Sequence, residues 1–256
     1  MNELNNTKSL PILAIVSPCY NEEEVLIDTV KELTGMINQL IEDQFINVKS
    51  YLLLVDDGSK DRTFEIMMQM KDQYSSLKLL KRSKNFGHQA ALLAGLETAH
   101  TFADILVSID ADLQDDKLVI KEMVSFYSKG YEIVFGVRKK RDTDTLFKRI
   151  TAEYFYSFMK LLGVDIIFNH ADYRLASSRV LKELFKFQEV NLFLRGIFHL
   201  VGFKTTCVYY DRKERLAGES KYPLKKMLSF ALDGITSFSV KPLRLVTLTG
   251  FLLSLS

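Results

Sequence analysis

The sequence predicts an α/β fold: a mostly parallel sheet flanked by helices. Three observations carry that prediction. Stretches with apolar residues at helical spacing alternate with short β-rich runs. Four strand-to-loop crossings fall before residue 112, and such close repetition of strand, loop and helix implies parallel pairing. The chain has 256 residues, 47% hydrophobic and 26% charged, with only 12 Gly and 4 Pro, enough apolar material for one large core.

Taken in order, Ile12 to Ser17 is expected as the first buried strand, ended by Pro18. Glu22 to Ile41 follows as a helix with Val25, Leu26, Val30, Leu33, Ile37 and Leu40 on one face. The second unit is a strand from Tyr51 to Val55, the turn Asp56-Asp57-Gly58-Ser59, and a helix from about Asp61 to Tyr74. The third has a strand from Leu77 to Leu80, a loop from Arg82 to Gly87 and a helix from His88 to Ala99. A fourth strand, Ile105 to Ile109, then runs into Asp110-Ala111-Asp112. A less regular half follows: a strand from Tyr131 to Val137, a helix from Thr145 to Leu162, a short strand from Asp172 to Ala176 and a helix from Ser178 to Phe185. Pro223 opens an amphipathic helix whose apolar stripe is Leu224, Met227, Leu228, Ala231, Ile235 and Phe238. The expected boundaries are a main α/β domain over 1–221, an amphipathic juxtamembrane helix over 222–241 and the start of a transmembrane helix over 242–256. The uncharged run from Leu245 to Leu253 stops short of the roughly 20 residues needed to span a bilayer.

Net charge is +2, and the basic excess lies near the C-terminal end, where Lys204 to Arg244 holds nine Lys or Arg against four Asp or Glu. No nucleic-acid partner is expected. Positive residues just before an apolar segment favour the cytoplasmic face of a membrane. Cys19 and Cys207 lie far apart without metal-ligand spacing, so free thiols in a reducing compartment are expected. The apolar run Leu10 to Val16 contains Pro11 and suits a strand better than a cleaved signal.

In open parallel sheets, ligands bind beyond the carboxyl ends of the strands. Three of the first four ends here carry carboxylates: Glu22, the pair Asp56 and Asp57, and the pair Asp110 and Asp112, with Gln114, Asp115 and Asp116 close behind. Two carboxylates separated by one residue can hold Mg²⁺ or Mn²⁺ and leave positions for diphosphate oxygens. The same residues could instead serve as helix caps and turn formers. Receiver domains and aspartyl phosphatases fit poorly, because the acid pair sits on the fourth strand and Gln114 breaks the phosphatase run. A nucleotidylyltransferase is disfavoured by the absence of a Gly-rich, Arg-containing loop after the first strand.

The motifs Pro18-Cys19-Tyr20-Asn21-Glu22-Glu23, Val55-Asp56-Asp57-Gly58-Ser59-Lys60-Asp61, Asn85-Phe86-Gly87-His88-Gln89-Ala90 and Asp110-Ala111-Asp112-Leu113-Gln114-Asp115 resemble, in order and spacing, those of inverting family-2 glycosyltransferases of GT-A fold. Ala171 to Leu175, Phe193 to Gly196 and Arg212 to Tyr222 narrow the resemblance to the polyprenyl-phosphate group, which includes bactoprenol glucosyltransferases and dolichol-phosphate mannose synthases. The resemblance implies a metal-dependent hexosyl transfer from a UDP-sugar to a polyprenyl phosphate. It implies Pro18, Tyr20, Glu22, Val55, Asp57, Asp110, Ala111, Gln114 and Arg138 around the donor, with Asp110, Asp112 and Gln114 at a Mg²⁺ or Mn²⁺ ion. Arg212, Arg215 and Lys221 would face phosphates. Asp112 and Asp172 would be the catalytic pair, Asp172 as base or as acceptor-positioning group. Processive polysaccharide synthases of the superfamily use a QxxRW motif, and this chain has no Trp. A homo-oligomer, a transferase acting on a soluble or glycan acceptor, and a catalytically silent binding module stay open as alternatives.

Overall fold

A computed structural model describes residues 9–139, 170–187, 194–211, 247 and 250–254. The expected helix from Thr145 to Leu162, the amphipathic helix over 222–241, and Arg212, Arg215 and Lys221 lie outside the described residues. The elements are β1 (Leu13–Cys19), α1 (Leu26–Glu42), β2 (Tyr51–Asp56), α2 (Thr63–Gln73), β3 (Leu77–Lys81), α3 (His88–Ala99), β4 (Ile105–Ser108), α4 (Val119–Ser128), β5 (Ile133–Arg138), β6 (His170–Ser177), α5 (Ser178–Leu184), α6 (Leu194–Leu200) and β7 (Thr205–Tyr210).

The strands form one sheet in the order β3-β2-β1-β4-β6-β5-β7. β1 pairs in parallel with both β2 and β4, and β2 with β3. β6 is the antiparallel strand, inserted between β4 and β5, and β5 pairs in parallel with β7. All seven residues of β1 are buried, as a strand covered on both faces requires. Leu13 and Ile15 pack with α1, α2 and α4 on one face, while Ala14 and Val16 pack with α3, α5 and α6 on the other. Leu26, Val30, Leu33, Ile37 and Leu40 form the fully buried stripe of α1, the face its sequence spacing predicts. At Gly95 a Cβ would sit 2.5 Å from Val16 Cγ1 and 2.7 Å from Val55 Cγ2, so glycine lets α3 lie directly on the sheet.

Three parts differ from expectation. β1 continues through Pro18 to Cys19, paired with Val55 and Asp56. Val16 faces β4, accepting from the Ile109 N–H, while the Cys19 carbonyl faces β2 and accepts from the Asp57 N–H. Pro18 therefore turns its donorless nitrogen toward the β4 side, past the last β1–β4 pair at Val16 and Ser108, where the ladder does not need it. The helix α6 and the strand β7 are additions. Near the C-terminus Thr247 and Gly250 to Ser254 are helical, with Phe251, Leu252 and Leu253 exposed. Among the described residues no helix is long and apolar enough to cross a membrane.

Candidate active site

The chain runs from β1 to β2 and β3 on one side and then crosses back to β4 on the other, so the point where strand order reverses lies between β1 and β4. The crevice beyond those strand ends is where such sheets bind ligands. Two turns there are tied to each other. After β1, Asn21 takes a left-handed φ of 54°, its N–H donates to Ser59 Oγ at 3.0 Å, and its Oδ1 accepts from the Lys60 N–H at 2.9 Å. The Glu22 N–H donates to Thr63 Oγ1 and the Glu22 carbonyl accepts from Val25 and Leu26, which starts α1. In the Asp56-Asp57-Gly58-Ser59 turn, Asp56 Oδ1 accepts from the Ser59 N–H at 3.1 Å. Gly58 has φ 69°, and a Cβ there would meet the Lys84 carbonyl carbon at 2.5 Å.

Asp57 organises the loop after β3. Its Oδ1 accepts from Arg82 Nη1 at 2.8 Å and the Phe86 N–H at 3.1 Å, and its Oδ2 from the Gly87 N–H at 2.8 Å. Gly87 then delivers His88 and Gln89 to the first turn of α3, above the crevice. Pro18 and Val55 are neighbours in register, and Val55 is wholly buried in the core beneath α3, so its side chain lines the sheet interior.

The loop after β4 is held from three sides. Thr29 Oγ1 of α1 donates to the Ala111 carbonyl at 2.6 Å, Tyr173 Oη to the Asp116 carbonyl at 2.9 Å, and Asp115 joins Arg138 and Tyr210. Within it the Gln114 N–H donates to Asp112 Oδ1 at 3.1 Å, and Leu113 takes a left-handed φ of 54°. Asp116 Oδ1 accepts from the Leu118 N–H in the turn ahead of α4. Asp115 is not a member of the expected ligand group: its Oδ1 accepts from Arg138 Nη2 at 3.1 Å and from Tyr210 Oη at 2.6 Å. Arg138, expected at the donor phosphates, is thereby committed to Asp115 through Nε and Nη2.

The antiparallel β6 brings the last acid. Ser108 pairs with Arg174, and extending that register by two residues sets Asp172 opposite Asp110. Asp172 is 6% exposed; its Oδ1 accepts from Arg174 Nη2 at 2.6 Å and its Oδ2 from Gln89 Nε2 at 3.1 Å. Arg174 is itself buried, donates to the Leu194 carbonyl of α6 and stacks on Phe198 at 4.6 Å. His88 Nε2 lies 3.5 Å from Asp110 Oδ1 and 3.7 Å from Asp172 Oδ2, between the two acids. Removal from water pushes the Asp110 carboxyl up to about 6; His88 opposes that rise, and the negative charges of Asp115, Asp172 and Asp112 add to it. Burial, with help from Glu22, Asp56 and Asp110, likewise pushes the Cys19 thiol up, which suits an inert core thiol.

Of the residues the sequence singled out, the fold thus gathers Asp110, Asp112 and Asp172 at one place, with Asp57, Ala111 and Gln114 building the loops around them. Tyr20 and Glu22 lie at the end of β1 beside the same crevice. His88, Gln89 and Arg174 were not singled out. His88 and Gln89 stand inside one quoted motif, and Arg174 follows Asp172 at the spacing that puts both on one face of a strand.

Residues 14–185 match the glycosyl transferase family 2 model. An uncharacterized glycosyltransferase of Bacillus subtilis (strain 168), YkoT, is 54% identical over 246 residues, 96% of this chain and 73% of that protein. The bactoprenol glucosyl transferase of Shigella phage SfX is 39% identical over 249 residues, covering 95% of this chain and 78% of that protein. Among solved structures, glucosyl-3-phosphoglycerate synthase of Mycobacterium tuberculosis, crystallised with Mn²⁺, UDP-glucose and phosphoglyceric acid, superposes with a TM-score of 0.54 at 18% identity, covering 89% of this chain and 78% of that one. That likeness gives the fold, GT-A, in agreement with the mostly parallel sheet; the family match over two thirds of the sequence and the 54% identical relative give the kinship: the chain belongs to glycosyl transferase family 2.

Proposed function

We propose that the chain transfers a hexose, glucose or N-acetylglucosamine, from a UDP-sugar to polyprenyl (undecaprenyl) phosphate at the cytoplasmic face of the cell membrane, inverting the anomeric carbon. The observation that supports this acceptor is the reach of the similarity. The family match ends at residue 185, whereas the likeness to bactoprenol glucosyl transferases takes in 95% of the chain and so includes the part beyond it. The exposed apolar residues Phe251, Leu252 and Leu253 favour a membrane surface.

A divalent cation suits the acidic loop. Its donors are hard carboxylate oxygens, those of Asp110 and Asp112, gathered beside Asp172 at the end of β4. Among the described residues no group of three or more His, Cys, Asp or Glu could by itself hold a metal ion. Mg²⁺ or Mn²⁺ can be bound through one or two carboxylates, which here would be Asp112 and Asp110 with Gln114 beside them, with water and donor phosphates as the remaining ligands. When bound, the ion would supply Lewis-acid stabilisation of the departing diphosphate.

The residues do the rest. The tied turns after β1 and β2 form the floor for the nucleoside. Arg212, Arg215 and Lys221 are assigned to phosphates by their charge and motif. In the reaction an oxygen of the lipid phosphate bonds to the anomeric carbon as the bond from that carbon to the UDP oxygen breaks. A phosphate monoester of this kind is already largely anionic at neutral pH, so little proton transfer is required. Asp172, held at both oxygens by Arg174 and Gln89, is therefore assigned to orienting the acceptor and the sugar. Alignment of two bound reactants and stabilisation of the leaving group supply most of the rate.

The test is transfer of radiolabelled sugar from UDP-glucose and UDP-N-acetylglucosamine to undecaprenyl phosphate in detergent, with Mn²⁺ or with chelator. Labelled lipid that disappears with chelator is expected. Asp112→Ala should lower turnover by about a thousandfold or more while the fold stays intact by circular dichroism. A protein that binds UDP yet labels no lipid would move the acceptor to a soluble molecule or a glycan.

A further inference from the structure

Between the two acids that the proposed reaction assigns to different substrates stands a side chain it has not used. His88 Nε2 lies 3.5 Å from Asp110 Oδ1, on the donor side, and 3.7 Å from Asp172 Oδ2, on the acceptor side. Both separations exceed the roughly 3.2 Å reach of an N–H hydrogen bond, so the ring is near both carboxylates and hydrogen-bonded to neither. Two carboxylate oxygens facing Nε2 keep a proton on that nitrogen, and the ring presents an N–H there whether charged or neutral. The frame around it is fixed. Asp57 Oδ2 accepts from the Gly87 N–H at 2.8 Å just before the ring, and Gly95 lets α3 lie directly on Val16 and Val55. Across the gap, Ser108 Oγ donates to the Asp172 carbonyl at 2.5 Å, while Arg174 and Gln89 hold the Asp172 carboxylate. Preset acids with a donor between them suit a ligand that is itself an anion.

A phosphate monoester carries a charge of about −1.5 to −2 at neutral pH, and its attacking oxygen has to come close to Asp110 and Asp172 on its way to the anomeric carbon. Like charges at such range repel strongly away from bulk water. The guanidinium groups of Arg82, Arg138 and Arg174 are already committed, to Asp57, Asp115 and Asp172. A hexose hydroxyl in the same gap would find its acceptors in the carboxylates and need no imidazole, whereas a phosphate oxygen needs a donor. We infer that His88 binds the acceptor phosphate, its Nε2–H donating to a phosphate oxygen that does not attack, so that the attacking oxygen is turned toward the sugar. The inference rests on the polyprenyl-phosphate reading above. In the step itself the attacking oxygen bonds to the anomeric carbon, and the bond from that carbon to UDP breaks with its electron pair leaving on the diphosphate. His88 keeps its proton throughout.

The experiment is steady-state transfer from the UDP-sugar that labels lipid to undecaprenyl phosphate in detergent with Mn²⁺, with the lipid concentration varied. Dissociation constants for UDP are measured beside it by calorimetry, on the full chain, on His88→Ala and on His88→Gln. The side chain is 32% exposed at the first turn of α3, so neither change should unfold the protein. In His88→Ala the KM for the lipid should rise about tenfold, the size of one lost hydrogen bond to a charged group, and the UDP constant should move by much less. His88→Gln, which carries an N–H at about the same reach, should recover most of the lipid KM; a ring that served only to fill space would not be replaced in this way. An unchanged lipid KM in His88→Ala, a larger change in the UDP constant than in the lipid KM, or a His88→Gln as impaired as His88→Ala would each overturn the inference. If the unaltered chain binds UDP yet labels no lipid, the acceptor reading itself falls and this inference with it.

Discussion

In the parallel half of the sheet, the buried carboxylate of Asp57 rests on the N–H groups of Phe86 and Gly87 as well as on Arg82, and Asp56 on the N–H of Ser59. In the mixed half, Asp115 and Asp172 are each met by a guanidinium, from Arg138 and Arg174. The first arrangement meets its acids largely with main-chain N–H groups of neighbouring loops; the second meets them with guanidinium groups carried on β5 and β6. Asp110 stands at the seam, where β4 hands over to β6, and its carboxyl is the one pushed up to about 6. Each half thus holds its buried acids with its own donors, whereas at the seam Asp110 is drawn away from water beside His88, where the proposed cation and diphosphate would sit.

The largest effect on stability should come from breaking a pair in the mixed half. Arg174→Ala leaves the 6%-exposed Asp172 without its guanidinium and should cost about 3–5 kcal/mol, read from the urea midpoint. Asp57→Asn, which keeps one acceptor oxygen for the same loop, should cost less, about 1–3 kcal/mol. The reverse order would break the comparison. In the parallel half the loops themselves are the vulnerable part. Gly58→Ala puts a Cβ against the Lys84 backbone at a φ of 69° and should cost about 2 kcal/mol, measured as a fall in thermal midpoint.

The smallest effect has the opposite sign. A carboxyl raised in the fold contributes its stability below the ordinary value near 4, and that contribution is lost as pH rises through about 6. At pH 7 the protein therefore bears the cost of an ionised Asp110. Asp110→Asn should raise the thermal midpoint of the metal-free protein at pH 7 by a few degrees. This corresponds to about 1 kcal/mol once solvent around a side chain 32% exposed is allowed for. At pH 4 the two proteins should melt together; an equal gain at both pH values would remove Asp110 from the argument.

The parallel half was legible because β1, β2 and β4 are mostly apolar runs, α1 carries a clear stripe, and the acids fall at strand ends. Pro18 misled only over where β1 stops, since a proline's cost depends on which side of the ladder it faces. The mixed half was harder to read. β6 pairs with β4 and β5 across long sequence separations, and β7 alternates buried Val208 and Tyr210 with exposed Thr205 and Tyr209, a pattern shared by many surface segments. Charge alone does not separate Asp112 from Asp115; the resemblance puts Asp112 and not Asp115 at the proposed ion, and the arrival of Arg138 and Tyr210 from distant strands shows what Asp115 holds.

The most direct test of the acidic seam is a Mn²⁺ titration followed by electron paramagnetic resonance of the free ion, with and without UDP, on the unaltered chain and on Asp112→Ala. The account predicts weak loss of the free-ion signal with protein alone, strong loss when UDP is added, and neither in Asp112→Ala. Mn²⁺ binding that is indifferent to UDP, or that survives Asp112→Ala unchanged, would contradict it.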